Sequence, residues 1–148
     1  MVEINNLTKH KINVKLYIDL FNNALKVLGL SDKYISVAFV TSYEMKKVNN
    51  NYRGKNKPTD VLSFPNIFIK NKWDGKKFKD VDLGEIIFCY DVIKKQAKEN
   101  KKTISNEMLF MFVHGVLHLL GHEDEKSEKE YLEMCKKQDN IIKKLTTY

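Results

Sequence analysis

The segment MLFMFVHGVLHLLGHED, Met108 to Asp124, holds three of the four histidines in the chain. Apart from those histidines its helical part is apolar on every side, so the helix it forms belongs in the interior. An imidazole buried there without a partner is unfavourable. His114 and His118 are four residues apart, and at about 100° per residue both project from one face, one turn apart. That is the spacing of two ligands of a single ion. Gly121 can adopt a left-handed conformation, end the helix and turn the chain back. A third ligand has to come from beyond that turn. Were the helix to continue, His122 would lie about 12 Å along the axis from His114. After the break, His122, Glu123 and Asp124 are all candidates.

The pattern H-x-x-x-H-x-x-G-x-x-D puts Asp124 three residues past the glycine, where it resembles the third-ligand position of metzincin-type sites, which normally carry histidine. The expected set is His114, His118 and Asp124, with His122 as the rival third ligand. Zinc suits such a site when one position stays open for chemistry, and the carboxylate also admits harder ions such as manganese. The competing interpretation is a pair of core histidines satisfied by carbonyls or water. A zinc peptidase would carry glutamate directly after the first histidine as its general base. Gly115 stands there instead, which argues against peptide hydrolysis.

A net charge of +7 and a pI near 9.2 favour an anionic partner such as nucleic acid or a membrane surface, although lysine is also an ordinary solvated surface residue. Among 26 basic residues, Arg53 is the one arginine, which points to a need for its planar, five-donor fork. It is the second residue of the stretch YRGKNKPTD, Tyr52 to Asp60, whose Gly54 and Pro58 read as a loop. There a guanidinium can grip two phosphate oxygens while Lys55 and Lys57 add field. Asp60 either orients Arg53 or caps a turn. Ser63 and Phe64 read as strand packing, with base stacking as the rarer use of Phe64 and of Trp73. Glu85 is open between a general base, a partner for Arg53 and a solvated strand edge.

These residues need a scaffold. A short strand is expected at Val2–Asn5. Val14, Tyr17, Phe21, Ala24, Leu25 and Leu28 mark an amphipathic helix that stops at Gly29. YISVAFV, Tyr34 to Val40, is a strand, and Thr41 with Glu44 can cap a short helix running to Asn50. Further strands are expected at Val61–Ile69, where Pro65 marks an edge or a bulge, and at Leu83–Cys89. Lys70–Asp80 reads as an exposed turn. Helices are expected at Asp91–Asn100, Asn106–Leu120 and Glu128–Leu145, the last capped by Ser127 and Glu130. The order implies one α+β domain over residues 1–148, with a small mixed four-stranded sheet, about five helices and the metal site at the end of a buried helix. Cys89 and Cys135 have no metal-knuckle or disulfide-framework spacing and read as free thiols of a reducing cytosol. Neither a signal peptide nor a membrane span is expected.

HGVLHLLG, together with YRGKNKPTDVLSFP (Tyr52 to Pro65) and LGEI (Leu83 to Ile86), resembles the YbeY family of bacterial metal-dependent endoribonucleases, in the same order over nearly the whole chain. The resemblance implies a single-strand-specific, zinc-bearing cytoplasmic enzyme of small-subunit ribosomal RNA maturation and ribosome quality control. Its partners would be ribosomal RNA and the small subunit, with no DNA and no membrane. It implies that His114, His118 and position 124 hold the metal, with Asp124 in place of the family's third histidine. It also implies that Arg53 is the functional arginine, and it places Glu85 where the family usually has aspartate. The other functions open to such a sequence are a non-catalytic RNA- or ribosome-binding factor with a structural zinc, and a metallohydrolase of another substrate class.

Overall fold

β-Branched and aromatic residues make Tyr34–Val40 a strand with no polar face over most of its length. Ile35, Val37 and Phe39 enter the larger of two apolar clusters, while Ala38 and Val40 enter the smaller one on the opposite side. A strand buried on both faces belongs in the middle of a covered sheet. The computed structural model describes residues 1–66 and 81–121, followed by residues 136, 139–140 and 142–144. Its elements run β1 (Val2–Asn6), α1 (Val14–Val27), β2 (Tyr34–Val40), α2 (Ser42–Arg53), β3 (Val61–Pro65), β4 (Asp82–Cys89), α3 (Tyr90–Glu99) and α4 (Ile104–Leu119). The later described residues are again helical. The expected turn at Lys70–Asp80 with Trp73, and the expected cap at Ser127 and Glu130, lie outside the described residues.

The sheet has the order β1-β2-β4-β3; β1, β2 and β4 are mutually parallel and β3 pairs antiparallel to β4 at the edge. This is the mixed four-stranded sheet of an α+β protein. Pro65 closes β3 on that edge strand, where its missing N–H does least harm.

On one face, α1 packs through Tyr17, Phe21, Ala24 and Leu25. Phe21 lies flat on Phe112 of α4, with ring centres 4.1 Å apart and planes 9° from parallel. Such a pair contributes about 0.5–1.5 kcal/mol beyond its area. The helix begins at Asn13, whose side chain accepts from the Leu16 N–H, and ends before Gly29 at φ 73°. α4 is buried along most of its length, from Glu107 to Leu119. Its start lies two residues before the expected Asn106, because the Thr103 hydroxyl accepts from the Asn106 N–H and caps it.

α2 covers the other face through Met45 and Val48, packed with Ala38, Val40, Leu62 and Cys89. Thr41 caps it as expected, accepting from the Glu44 N–H. Its far end requires a correction: the helix runs to Arg53 rather than stopping at Asn50, so Arg53 is the last helical residue and not part of a loop. Gly54, at φ 67°, terminates it and donates its N–H to Asn50 O. Among the described residues no helix is long and apolar enough to cross a membrane.

Tyr17 is only 5% exposed, and burial, followed by repulsion from Tyr90, pushes its phenol up to about 12. The folded value lies above the unfolded one near 10, so the contribution is complete below about pH 10 and is lost as pH rises towards 12. Urea denaturation is expected to show stability falling across that window by up to about 2–3 kcal/mol more in the unaltered protein than in Tyr17→Phe. Equal alkaline slopes in the two proteins would contradict this.

Candidate metal centre

The four-residue spacing in α4 brings two ring nitrogens face to face. His118 Nε2 stands 3.0 Å from His114 Nε2, with ring centres 4.5 Å apart and planes at 71°. Both residues are half-buried among fully buried apolar neighbours. Nitrogens aimed at each other at this distance either share a proton, one ring donating its N–H to the other, or share a cation. Two imidazole nitrogens bound to one tetrahedral zinc, at about 2.0–2.1 Å each, stand about 3.3–3.4 Å apart. The pair therefore fits one small divalent ion with little side-chain movement.

Gly121 ends this region at φ 91°, donating its N–H to His118 O, so the chain does turn where the sequence indicates. Among the described residues no third His, Cys, Asp or Glu joins the pair. His122, Glu123 and Asp124 lie outside the described residues. Glu107, the acid buried in α4, sits near the other end of the helix and is held by Asn100 Nδ2 at 3.3 Å and Lys102 Nζ at 3.9 Å.

Two glycines set the distance between this helix and the sheet. A Cβ on Gly115 would stand 3.0 Å from Ile86 Cδ1 and 3.1 Å from Ser63 Oγ. The Ser63 hydroxyl donates to Gly115 O at 3.3 Å, tying β3 to the turn between the two histidines. The position after the first histidine is thus tightly packed, and a glutamate there would have to displace Ile86 and Ser63. Gly84 sits where the β2–β4 register slips: Tyr34 pairs with Asp82 and Ile35 with Gly84, leaving Leu83 as an extra residue. At φ 135°, its missing Cβ would lie 2.2 Å from Phe64 O and 3.1 Å from Leu119 Cδ2, beside His118 in sequence. Neither role was drawn from the sequence, although a lone glycine inside a strand pattern is a signal for a bulge or a close approach.

The remaining candidates are distributed around β3. Ser63 faces α4, whereas Leu62 and Phe64 face α2. Phe64 meets Tyr52 edge-on at 5.0 Å, which makes it a packing residue, as expected. Arg53 follows Tyr52 at the exposed end of α2, so it and the histidine pair belong to helices on opposite faces of the sheet, both bearing on edge strand β3. Asp60 secures the intervening loop: Oδ1 accepts from the Val61 N–H at 2.8 Å and Oδ2 from Gln96 Nε2 at 3.2 Å. Glu85 is exposed on β4, paired across from Phe64.

A mixed sheet with a buried helix that presents two converging imidazoles defines an α+β protein with a helix-borne histidine pair. The family model for endoribonuclease YbeY matches residues 3–146, and the chain belongs to that family. It is 37% identical over 136 residues to endoribonuclease YbeY of a Sulfurihydrogenibium species, covering 92% of this chain and 86% of the relative. It is 34% identical to that of Persephonella marina over 142 residues, covering 96% and 90%. A Thermotoga maritima protein solved in solution superposes with a TM-score of 0.68 at 28% identity, covering 98% of this chain and 89% of the other.

Proposed function

We propose that this protein is a metal-dependent endoribonuclease that holds one divalent ion, zinc foremost, on His114, His118 and Asp124. Its substrate is single-stranded RNA, in particular small-subunit ribosomal RNA during maturation in the cytoplasm, with the small ribosomal subunit as partner. The observation that carries this proposal is the 3.0 Å approach of the two Nε2 atoms in a stretch of helix whose neighbours are apolar. Membership of an endoribonuclease family and the filled space at Gly115 direct the chemistry to a phosphodiester rather than a peptide. When bound, the ion supplies Lewis-acid stabilisation of charge at the reacting phosphate. His114 and His118 orient it, and Asp124 offsets part of its charge. Arg53 holds non-bridging phosphate oxygens with two parallel N–H donors and stabilises charge that develops on them.

The direct test is cleavage of labelled single-stranded ribosomal RNA beside a peptide substrate and single-stranded DNA of the same sequence. RNA cut with the other two intact is expected; peptide cut in preference would remove the proposal. Arg53→Lys keeps the charge and loses the fork. It is expected to lower RNA cleavage about 100-fold with metal content unchanged, a loss typical of removing one transition-state donor. Undiminished cleavage in that variant would take Arg53 out of the mechanism.

A further inference from the structure

The outward side of α2 plays no part in holding the histidine pair, yet its residues form an ordered surface. Tyr43, Lys46, Asn50 and Arg53 recur at steps of three and four residues and make one stripe about 15 Å long. All four of its residues are exposed, whereas Met45 on the same helix is buried. Tyr43 is 69% exposed, and Lys47 Nζ lies 5.2 Å from its ring centre. Tyr43, Lys46, Lys47, Asn50, Asn51 and Asn56 line a concave site of about 280 Å³, in which every charged group is a lysine. Glu44, the acid of α2, stands about 100° around the helix from Tyr43. The stripe ends at Arg53, and the loop that follows carries Lys55 and Lys57. That loop is fixed to the helix by buried Asn49, whose Nδ2 donates to Lys57 O at 2.8 Å.

We infer that this face of α2 is the docking surface for the single strand of RNA on one side of the cut, running from Tyr43 towards Arg53. The inference rests on the proposed nuclease function and names where the substrate lies outside the reacting phosphate. Tyr43 supplies the stacking face for an unpaired base, Lys46 and Lys47 take flanking phosphates, and the three asparagine amides meet base edges. An acidic peptide would satisfy the lysines but leave the ring and amides unused. A duplex would offer phosphates with no free base face for Tyr43.

The test is the Kd of the purified protein for a fluorescent, unstructured RNA of about twelve nucleotides, long enough for one such groove. Tyr43→Ala and the double variant Lys46→Glu/Lys47→Glu are each expected to weaken binding by about tenfold or more, with Tyr43→Phe close to unaltered. The double variant should also lower the slope of log K against log salt by about 1.4, two phosphate contacts' worth for a single strand. A matched reversal on α3, Lys94→Glu/Lys95→Glu, controls for net charge and should change Kd by less than about threefold. Unchanged binding in the α2 variants, or an equal loss in the α3 variant, would overturn the docking surface. Cleavage of the same RNA by the unaltered protein separates the two ideas. Cleavage with α2 variants that bind normally removes the docking surface alone, whereas α2-dependent binding without cleavage upholds the surface and removes the nuclease.

Discussion

His114→Ala is expected to take zinc content from about one equivalent per chain to about none and to drop RNA cleavage to background. The two imidazoles meet at 3.0 Å, so each makes half of one cradle, and neither retains a second helix-borne donor when the other is lost. Changing a group that merely orients a ligand already costs 10–100-fold in metal affinity, so losing a ligand should cost more than about 100-fold. His10 provides the control. It is a half-exposed histidine engaged with Asp91 at 2.7 Å and tilted against the Tyr90 ring at 4.9 Å. His10→Ala should keep both metal and cleavage. Among the residues past Gly121, Asp124→Ala should behave like His114→Ala, while His122→Ala remains largely intact. Equal retention of zinc by His114→Ala and the unaltered protein, measured by metal analysis after gel filtration, would remove that imidazole from the site.

Gly84→Ala is expected to destabilise the protein by about 3–5 kcal/mol, more than the same change at Gly29, Gly54 or Gly115. A side chain at φ 135° is strained before any neighbour is considered, and here the added carbon would sit 2.2 Å from a backbone carbonyl that cannot rotate away. Relief would have to come from separating β3 from β4 or lifting the end of α4 through Leu119. Gly29→Ala isolates the conformational part. Gly29 also has a positive φ, 73°, but nothing lies within 4 Å of its would-be Cβ, so the change should cost only about 1–2 kcal/mol. Urea midpoints of the two variants check this, and similar shifts in both would show that the close approach at Gly84 is not limiting. For a domain whose whole stability is about 5–15 kcal/mol, the Gly84 change should also lower the yield of folded protein.

The features legible in the sequence are those set by local periodicity. Two histidines four apart in an apolar helix had to meet, and they do. The stripe from Tyr17 to Leu25 with its terminal glycine had to be a buried helix face, and α1 is one. Where tertiary contacts decide, the sequence misleads. Three consecutive asparagines, Asn49 to Asn51, are poor helix formers, yet α2 runs through them to Arg53. In the structure Asn49 is buried and bonded to Lys57 O, and the Gly54 cap lets the last turn persist. Arg53 thereby projects from a helix end instead of a free loop. Gly115 read from sequence as a missing general base; the structure adds that its lack of a side chain lets α4 lie against Ile86 and Ser63. The strand order and the pairing of β3 with β4 depend on contacts between segments distant in sequence, which no local pattern records.

The most direct measurement is RNA cleavage by the unaltered protein before chelation, after exhaustive removal of metal, and after readdition of zinc or manganese, with bound metal counted at each stage. Cleavage should fall to background with the last of the metal and return in proportion to about one ion restored per chain. Metal-free protein that still cuts RNA at its full rate would contradict the assignment of the His114–His118 pair to catalysis.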